Sequence, residues 1–103
     1  MIEGYFNGSI TRIRQVKDDY GRVSELQLLM DARVENETKS ILNANGQLVQ
    51  ANYFIMLSPN ADIDPTDRIV IGPIETGTTQ KRWVVLKVFK AGGFEPTHTE
   101  VYL

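Results

Sequence analysis

The dipeptide Asn45-Gly46 separates two segments rich in strand-forming residues, and it restricts this part of the chain to a β-hairpin. Asn-Gly favours a two-residue type I′ turn, because both central positions of that turn require positive φ. With these two residues as the loop, Leu42 is predicted to face Val49 across the hairpin. A chain organised around such a turn is expected to build its fold from antiparallel strands.

The same register places Asn43 opposite Leu48, with Ile41 one position before Leu42. Apolar side chains therefore fall on both faces of the hairpin that spans residues 37–51. Neither face has the pattern of a core face. The hairpin is therefore predicted to project from its domain and to contact something other than its own core.

A second strand signal lies between Glu25 and Glu35, where five apolar residues alternate with mostly polar ones. They are Leu26, Leu28, Met30, Ala32 and Val34. This period of two is typical of a half-buried strand, and the turn signal Asp18-Asp19-Tyr20-Gly21 comes just before it.

The other predicted strands are short and regularly separated by Gly, Pro, Asn or Asp. They span residues 5–15, 53–57, 68–71, 82–89 and 97–103. No segment predicts a helix. The sequence therefore predicts a single all-β domain over residues 1–103, a small β-barrel or sandwich of about six or seven antiparallel strands with a protruding hairpin loop.

Composition excludes several kinds of chemistry and partner. The chain has no cysteine, which removes disulfides, thiol nucleophiles and thiolate metal sites together. Eleven Lys and Arg against thirteen Asp and Glu give no field that would attract DNA in general. The longest apolar run, residues 53–57, falls far short of the roughly 20 residues needed to cross a bilayer, so no membrane partner is expected.

An acidic loop carries Asp62, Asp64 and Asp67, a pattern that could hold Ca²⁺ or supply a general acid and base. An EF-hand loop counted from Asp62 needs Gly at its sixth position and Glu at its twelfth, where this chain has Asp67 and Pro73. No metal site is therefore predicted. In the structural interpretation, Asp67 pairs with Arg68 or caps a turn amide.

The only histidine, His98, shares one face of the last predicted strand with Glu100. Two ligands do not complete a zinc site, and no serine lies in a Gly-x-Ser-x-Gly context that such a pair would activate. Cations flank Trp83, but Arg82 and Lys90 fall on the opposite strand face, which is a poor pattern for single-strand nucleic-acid binding. No catalytic residue and no cofactor are predicted.

Residues 53–72 read Tyr-Phe-Ile-Met-Leu-Ser-Pro-Asn-Ala-Asp-Ile-Asp-Pro-Thr-Asp-Arg-Ile-Val-Ile-Gly. This stretch resembles the head-closure (stopper) proteins of long-tailed phages, also described as head–tail joining or minor capsid proteins. In that family an Ala-x-Val strand end precedes a variable hairpin, an aromatic strand ending in Pro, an Asp-Ile-like loop, an Asp-Arg-Ile strand and a last strand. Here these motifs are Ala32-Arg33-Val34, 39–51, 53–59, Asp62-Ile63, Asp67-Arg68-Ile69 and 97–103.

The resemblance implies a homo-oligomeric ring below the portal and adaptor connector proteins, with a tail-terminator protein on its other side. It implies non-sequence-specific contact with packaged DNA, at the head–tail interface of a virion assembled in the host cytoplasm. The residues assigned to a constricting tip at the DNA channel are Asn43, Asn45, Gly46, Gln47 and Leu48. Those assigned to interfaces are Ile41, Leu42, Val49, Asp62, Asp64 and Asp67.

Other functions remain open at this point. One alternative is a tail-completion or tail-tube protein, which would also be β-rich and ring-forming. Another is a binding module of the OB or SH3 type, in which Trp83 would face a ligand. An enzyme is a third, and it would use the set Asp62, Asp64, His98 and Glu100.

Overall fold

A computed structural model describes residues 6–43, 45–92 and 97–103. In these ranges the chain forms seven β-strands and no helix. They are β1 (Gly8–Lys17), β2 (Val23–Leu42), β3 (Leu48–Leu57), β4 (Arg68–Ile71), β5 (Trp83–Val84), β6 (Lys87–Ala91) and β7 (His98–Tyr102). All pairings are antiparallel, in one sheet with the order β5-β4-β1-β2-β3-β7-β6. The predicted all-β fold of six or seven antiparallel strands is confirmed.

The sheet curls into a partly open barrel. If β2 were straight, its 20 residues would span roughly 60 Å, whereas the longest dimension of the molecule is 40 Å. A β-bulge adds one residue to β2 between Asn36 and Lys39 and increases its bend. The two edge strands, β5 and β6, are joined by Val85 and Leu86 alone, so the edges of the sheet lie within about 10 Å of each other at this link.

The core fills the concave side of this curled sheet. Its buried members come from most of the strands and from two loops: Ile10, Ala32, Ile55, Leu57, Ala61, Ile63, Ile69, Val85, Val101 and Leu103. Met30, Val34, Tyr53, Trp83 and Val88 pack around them. Because the core is small, it reaches only the middle of β2 and leaves both ends of that strand outside.

Several strand boundaries differ from the sequence prediction, and the strand predicted over 25–35 extends from Val23 to Leu42. The strand predicted over 82–89 is two strands, because Val85 turns into the core and the Leu86 N–H bonds Tyr102 O at 2.8 Å, which redirects the chain from one edge of the sheet to the other. The strand predicted over 5–15 begins at Gly8, and Tyr5 lies outside the described residues. The strand predicted over 68–71 has those limits.

The loop that joins β3 to β4 has no ladder of its own and is held by an ion pair with β1. Arg14 donates to Asp67 through Nε and Nη2, both at 2.8 Å, and Asp67 is fully buried. The same carboxylate accepts the Asp64 N–H at 2.8 Å. Asp67 therefore caps a turn amide, as predicted, but its ion-pair partner is Arg14 rather than Arg68, which donates to the backbone oxygens of Thr66 and Asp67.

Two further cations fix the first half of this loop through its backbone carbonyls. Lys90 on β6 donates to Pro59 O at 3.0 Å and to Ala61 O at 2.9 Å. Arg12 on β1 donates to Asp62 O at 2.9 Å. Backbone carbonyls that a strand ladder would have satisfied are thus satisfied by side chains, which allows an irregular loop to pack on the core.

The ion pair determines the pKa of Asp67. Burial alone would raise the pKa of this carboxyl, but the hydrogen bonds from Arg14 and from the Asp64 N–H lower it below its ordinary value. A carboxyl with a lowered folded-state pKa stabilises the fold above its unfolded-state pKa, and that stabilisation is lost as the pH falls through the lower, folded-state value. Asp67 therefore contributes fully at neutral pH and loses its contribution below about pH 4.

Asp67→Asn is expected to lower the free energy of unfolding by about 3 kcal/mol at pH 7, at the lower end of the cost of breaking a buried pair, because Arg14 keeps Asp62 as a partner. It should also flatten the acid limb of the stability profile below about pH 4. Urea unfolding across pH measures both effects. Asp62→Asn is the matched control, since its carboxylate pairs with the same Arg14 but is 74% exposed, and a much smaller loss is expected. Equal losses for the two variants would contradict this interpretation.

Candidate functional site

The hairpin between β2 and β3 ends in a turn that the side chain of Asn43 organises. The Asn43 N–H bonds Gln47 O at 2.9 Å, and the Gly46 N–H bonds Asn43 O at 3.0 Å. Asn43 Oδ1 also accepts the backbone N–H groups of Asn45 and Gln47, at 3.0 and 2.9 Å. Gly46 has φ +77°, the left-handed conformation that glycine adopts without strain.

The predicted type I′ turn and its register are therefore wrong. Asn45 does not have positive φ, and the ladder pairs Ile41 with Val49 and Leu42 with Leu48. The register differs by one residue because the Asn43 side chain stabilises a longer loop in which only Gly46 needs positive φ.

This register decides which side chains the hairpin exposes. Leu42 and Leu48 face each other on the outer face, with 57% and 72% of their surface exposed. Ile41 and Val49 lie on the opposite face and are half-buried. The tip residues Asn45, Gly46 and Gln47 are exposed, while Asn43 is half-buried. Apolar side chains thus occupy both faces of the arms, below a polar tip.

A second projecting hairpin, between β1 and β2, has the same turn and was missed as a functional candidate. The Asp18 N–H bonds Arg22 O at 2.9 Å, the Gly21 N–H bonds Asp18 O at 3.0 Å, and Asp18 Oδ1 accepts the Tyr20 and Arg22 N–H groups. The shared signal is Asp or Asn followed three residues later by Gly, readable at both 18–21 and 43–46. Five large apolar side chains on or beside this hairpin are exposed: Tyr20, Val23, Leu26, Leu28 and Leu29.

The alternation correctly predicted which side chains of β2 point to the core side, but it overestimated how much of the strand the core covers. Met30 and Val34 pack against the core and Ala32 belongs to it, whereas Leu26 and Leu28 are 52% and 46% exposed. Opposite these two leucines on β1 stand Arg14 and Arg12, whose guanidinium groups reach the acidic loop. The core face of the sheet therefore becomes amphipathic towards this end.

A cleft of about 730 Å³ separates this end of β2 from the β3–β4 loop. Its lining is mostly apolar on the strand side and mixed on the loop side: Phe6, Arg12, Leu28, Met30, Asp31, Leu57, Ser58, Pro59, Asn60, Ala61, Asp62 and Thr97. Arg12 is nine-tenths buried, and its Nε has no hydrogen-bond partner among the described residues. The cleft opens where β3 leaves the sheet at Ser58.

The three predicted loop carboxylates occupy different environments. Asp67 is fully buried and its carboxylate is engaged within the chain, so in this conformation it offers no surface to a neighbour. Asp62 and Asp64 are exposed. Arg14, at 3.0 Å, lowers the pKa of Asp62 through a side-chain hydrogen bond and its charge. In the described ranges no three His, Cys, Asp or Glu side chains are grouped to hold a metal ion.

His98 and Glu100 do meet on the last strand, with Nε2 and Oε2 at 2.8 Å. Nδ1 of His98 lies 3.0 Å from the Thr97 hydroxyl, and the Tyr102 hydroxyl donates to Glu100 at 3.3 Å. Burial, followed by the charge of Glu100, raises the pKa of Tyr102. These hydrogen bonds join residues close together in the chain, and His98, Glu100 and Tyr102 share one face of β7, so the row stabilises this strand.

Trp83 is half-buried and is partly covered by other side chains. Lys81 Nζ lies 3.9 Å from the centre of the indole ring, and Tyr53 meets the ring edge-on with centroids 5.0 Å apart. Arg82 pairs with Glu25 on β2. A stacking platform for a nucleic-acid base needs a free ring face beside unpaired cations, and this arrangement is a poor match.

Comparisons with protein-family models, with curated proteins and with solved structures found no match to this chain. Within the described ranges, no helix has the length and apolar character needed to cross a bilayer. What the structure itself defines is a small, curled all-β protein with two exposed hairpins at opposite ends of its longest strand and a cleft beside one of them.

Gly46→Ala is expected to destabilise the protein by about 1–2 kcal/mol, because an L-residue in the left-handed conformation is strained even though the added Cβ meets no atom within 4 Å. The free energy of unfolding in urea, followed by Trp83 fluorescence, measures this loss. Gly8→Ala serves as the control, since Gly8 lacks positive φ and its Cβ would also meet nothing within 4 Å. Similar losses for the two variants would show that the conformation of Gly46 does not matter.

Proposed function

We propose that this chain is a head-closure (stopper) subunit of a phage head–tail connector, acting in a ring that narrows the DNA exit channel and receives the tail. The observation that carries the proposal is the exposed hairpin of residues 37–51. Leu42 and Leu48 on its arms are exposed in the single chain, and exposed apolar side chains of this kind are typical of surfaces that another molecule covers. A ring of copies would cover them on every subunit.

The composition of the hairpin suits passive closure. Residues 40–50 carry no charged side chain. A tip formed by Asn43, Asn45, Gly46, Gln47 and Leu48 would obstruct a channel by its volume, without the Lys and Arg contacts to phosphate that cause tight, salt-dependent DNA binding. The exposed carboxylates of Asp62 and Asp64 would repel phosphate groups and so also disfavour tight DNA binding. Packaged DNA would thus be retained but not bound.

The remaining partners in this proposal are the portal or adaptor proteins on one side of the ring and a tail-terminator protein on the other. The internal pairing of Asp67 and of the His98–Glu100 row is consistent with a structural role, because these groups stabilise the fold. Head closure would depend on the shape of the loops and of the contacts between subunits.

A shortened hairpin tests the gating role in the phage that encodes this chain. Replacing residues 42–48 with Asn-Gly joins Ile41 to Val49 through a two-residue turn, and it leaves the pairs nearer the core unchanged. The variant is expected to fold and to enter particles, but its heads should lose packaged DNA because the channel is no longer narrowed. DNA accessible to nuclease in purified heads, and the length of DNA retained, measure the loss.

Ile74→Ser is the control in this experiment, since Ile74 is another exposed apolar residue and lies outside both hairpins. Its heads are expected to retain DNA as the unmodified heads do. Heads that retain DNA without the hairpin tip would reject the gating role. If the protein were recovered with tails and not with heads, the tail-completion or tail-tube alternative would replace the proposal.

A further inference from the structure

We propose that the cleft between β2 and the β3–β4 loop receives the 37–51 hairpin of a second copy of this chain, whose β3 arm adds to an unpaired edge of β2. This inference rests on the proposed function, which requires copies of the chain to assemble into a ring. It adds the contact by which neighbouring subunits would join. Three observations carry it: two unpaired strand edges, a matching cleft and an incoming arm without charge.

The first unpaired edge belongs to the beginning of β2. The bond from Asp18 N–H to Arg22 O closes the β1–β2 ladder, so the even-numbered residues of β2 in this region direct their backbone groups to β1. The odd-numbered residues, from Val23 to Asp31, direct theirs to the opposite edge. In the described part of the chain no strand pairs with that edge, since β3 joins β2 only from Arg33 onward.

The second unpaired edge lies on the β3 arm of the hairpin. The bond from Asn43 N–H to Gln47 O sets the alternation there, so Leu48 and Gln50 direct their backbone groups away from β2. β7 pairs with β3 only from Phe54, and its extension reaches Asn52, whose N–H bonds Leu103 O at 2.6 Å. Among the described residues, none pairs with the edge at 48–50.

Exposed edges of this kind recruit other strands unless they are covered, and strand addition is a common mode of peptide recognition. One edge lies at the beginning of β2 and the other on the hairpin beyond its end, so the contact is head-to-tail: the hairpin of each copy enters the cleft of the next. A head-to-tail contact closes into a ring when its rotation allows. A contact in which the same edge pairs with itself would stop at a dimer.

The cleft has the geometry and chemistry for such a strand. It lies where β3 would have continued beside β2 if the chain had not left the sheet at Ser58 and Pro59. Leu28 and Met30 lie on one face of β2 and supply apolar surface for the side chain of the incoming arm that shares this face, Leu48 or Val49.

The incoming arm carries no charge that would oppose docking. Residues 48–50 of β3 are Leu, Val and Gln, and the two charged residues of the 37–51 hairpin, Glu37 and Lys39, lie on its β2 arm. The cleft carries exposed Asp31 and Asp62 at its rim. A neutral arm meets these carboxylates without like-charge repulsion.

Single cysteines test the contact, because the chain has no cysteine of its own. Leu28→Cys places a thiol in the cleft and Leu48→Cys places one on the hairpin, both at exposed positions where the fold is expected to persist. In a concentrated mixture treated with a short bis-maleimide, the mixed dimer is expected to exceed either homodimer about tenfold, which corresponds to a preference of about 1.4 kcal/mol. The double variant should give a ladder of covalent oligomers.

Val84→Cys is the matched control, because Val84 is as exposed as Leu28 but lies on β5, away from the cleft. It is expected to crosslink to Leu48→Cys only at the level of random collisions.

Three results would overturn the inference: homodimers of Leu28→Cys in excess, equal crosslinking of Leu48→Cys to Val84→Cys, or no crosslink at high concentration. If the double cysteine variant gives a ladder while heads with the shortened hairpin retain DNA, the contact stands and head closure is rejected. If those heads lose DNA and the double variant gives no ladder, head closure stands and the contact is rejected.

Discussion

The ion pair between half-buried Arg14 and fully buried Asp67 is the interaction on which the exposed features of this protein depend. It fastens β1 to a loop that contains Pro59 and Pro65 and cannot form a ladder of its own. Because Asp67 also accepts the Asp64 N–H, one carboxylate fixes both the position of the loop and its internal turn. Lys90 and Arg12 hold the other half of the loop. The β3–β4 loop is therefore held in one position, and a cleft remains between it and β2.

The second constraint is the length of β2. A strand of 20 residues is longer than a core of this size can cover, so its middle is buried and its two ends project as hairpins. The bulge between Asn36 and Lys39 separates these regions and reverses which residues face the core: even-numbered before the bulge, odd-numbered after it. Ile41 consequently shares the face of Ala32, and Leu42 is turned outward. The exposed leucines of both hairpins thus follow from strand length and one inserted residue.

Side chains that the sequence suggested for chemistry have partners inside the chain. Asp67 is paired with Arg14, Trp83 is covered by Lys81, and His98 bonds Glu100. The large apolar side chains of the hairpins are instead exposed, so they do not stabilise the fold by burial. Our proposals of a ring and of a head-to-tail contact both begin from that difference.

Local patterns were sufficient for some features of this fold. Alternation identified β2 and its core face, Gly and Pro set the limits of β4, and the Asn45-Gly46 dipeptide located the second hairpin. Period and turn preference are properties of neighbouring residues, which is why they can be read from the chain. The register of that hairpin was wrong by one residue, because the Asn43 side chain competes with the backbone for the turn amides.

The sequence by itself determined the all-β class, most strand positions, the locations of two turns and the absence of cysteine chemistry. Tertiary structure alone decided that Asp67 pairs with Arg14, which is 53 residues away, that Leu26 and Leu28 stand outside the core, and that a cleft lies between β2 and the loop. The physical reason is that burial and ion pairing join residues distant in the chain. They depend on how far a small core extends along a curved sheet, and no local pattern records that extent.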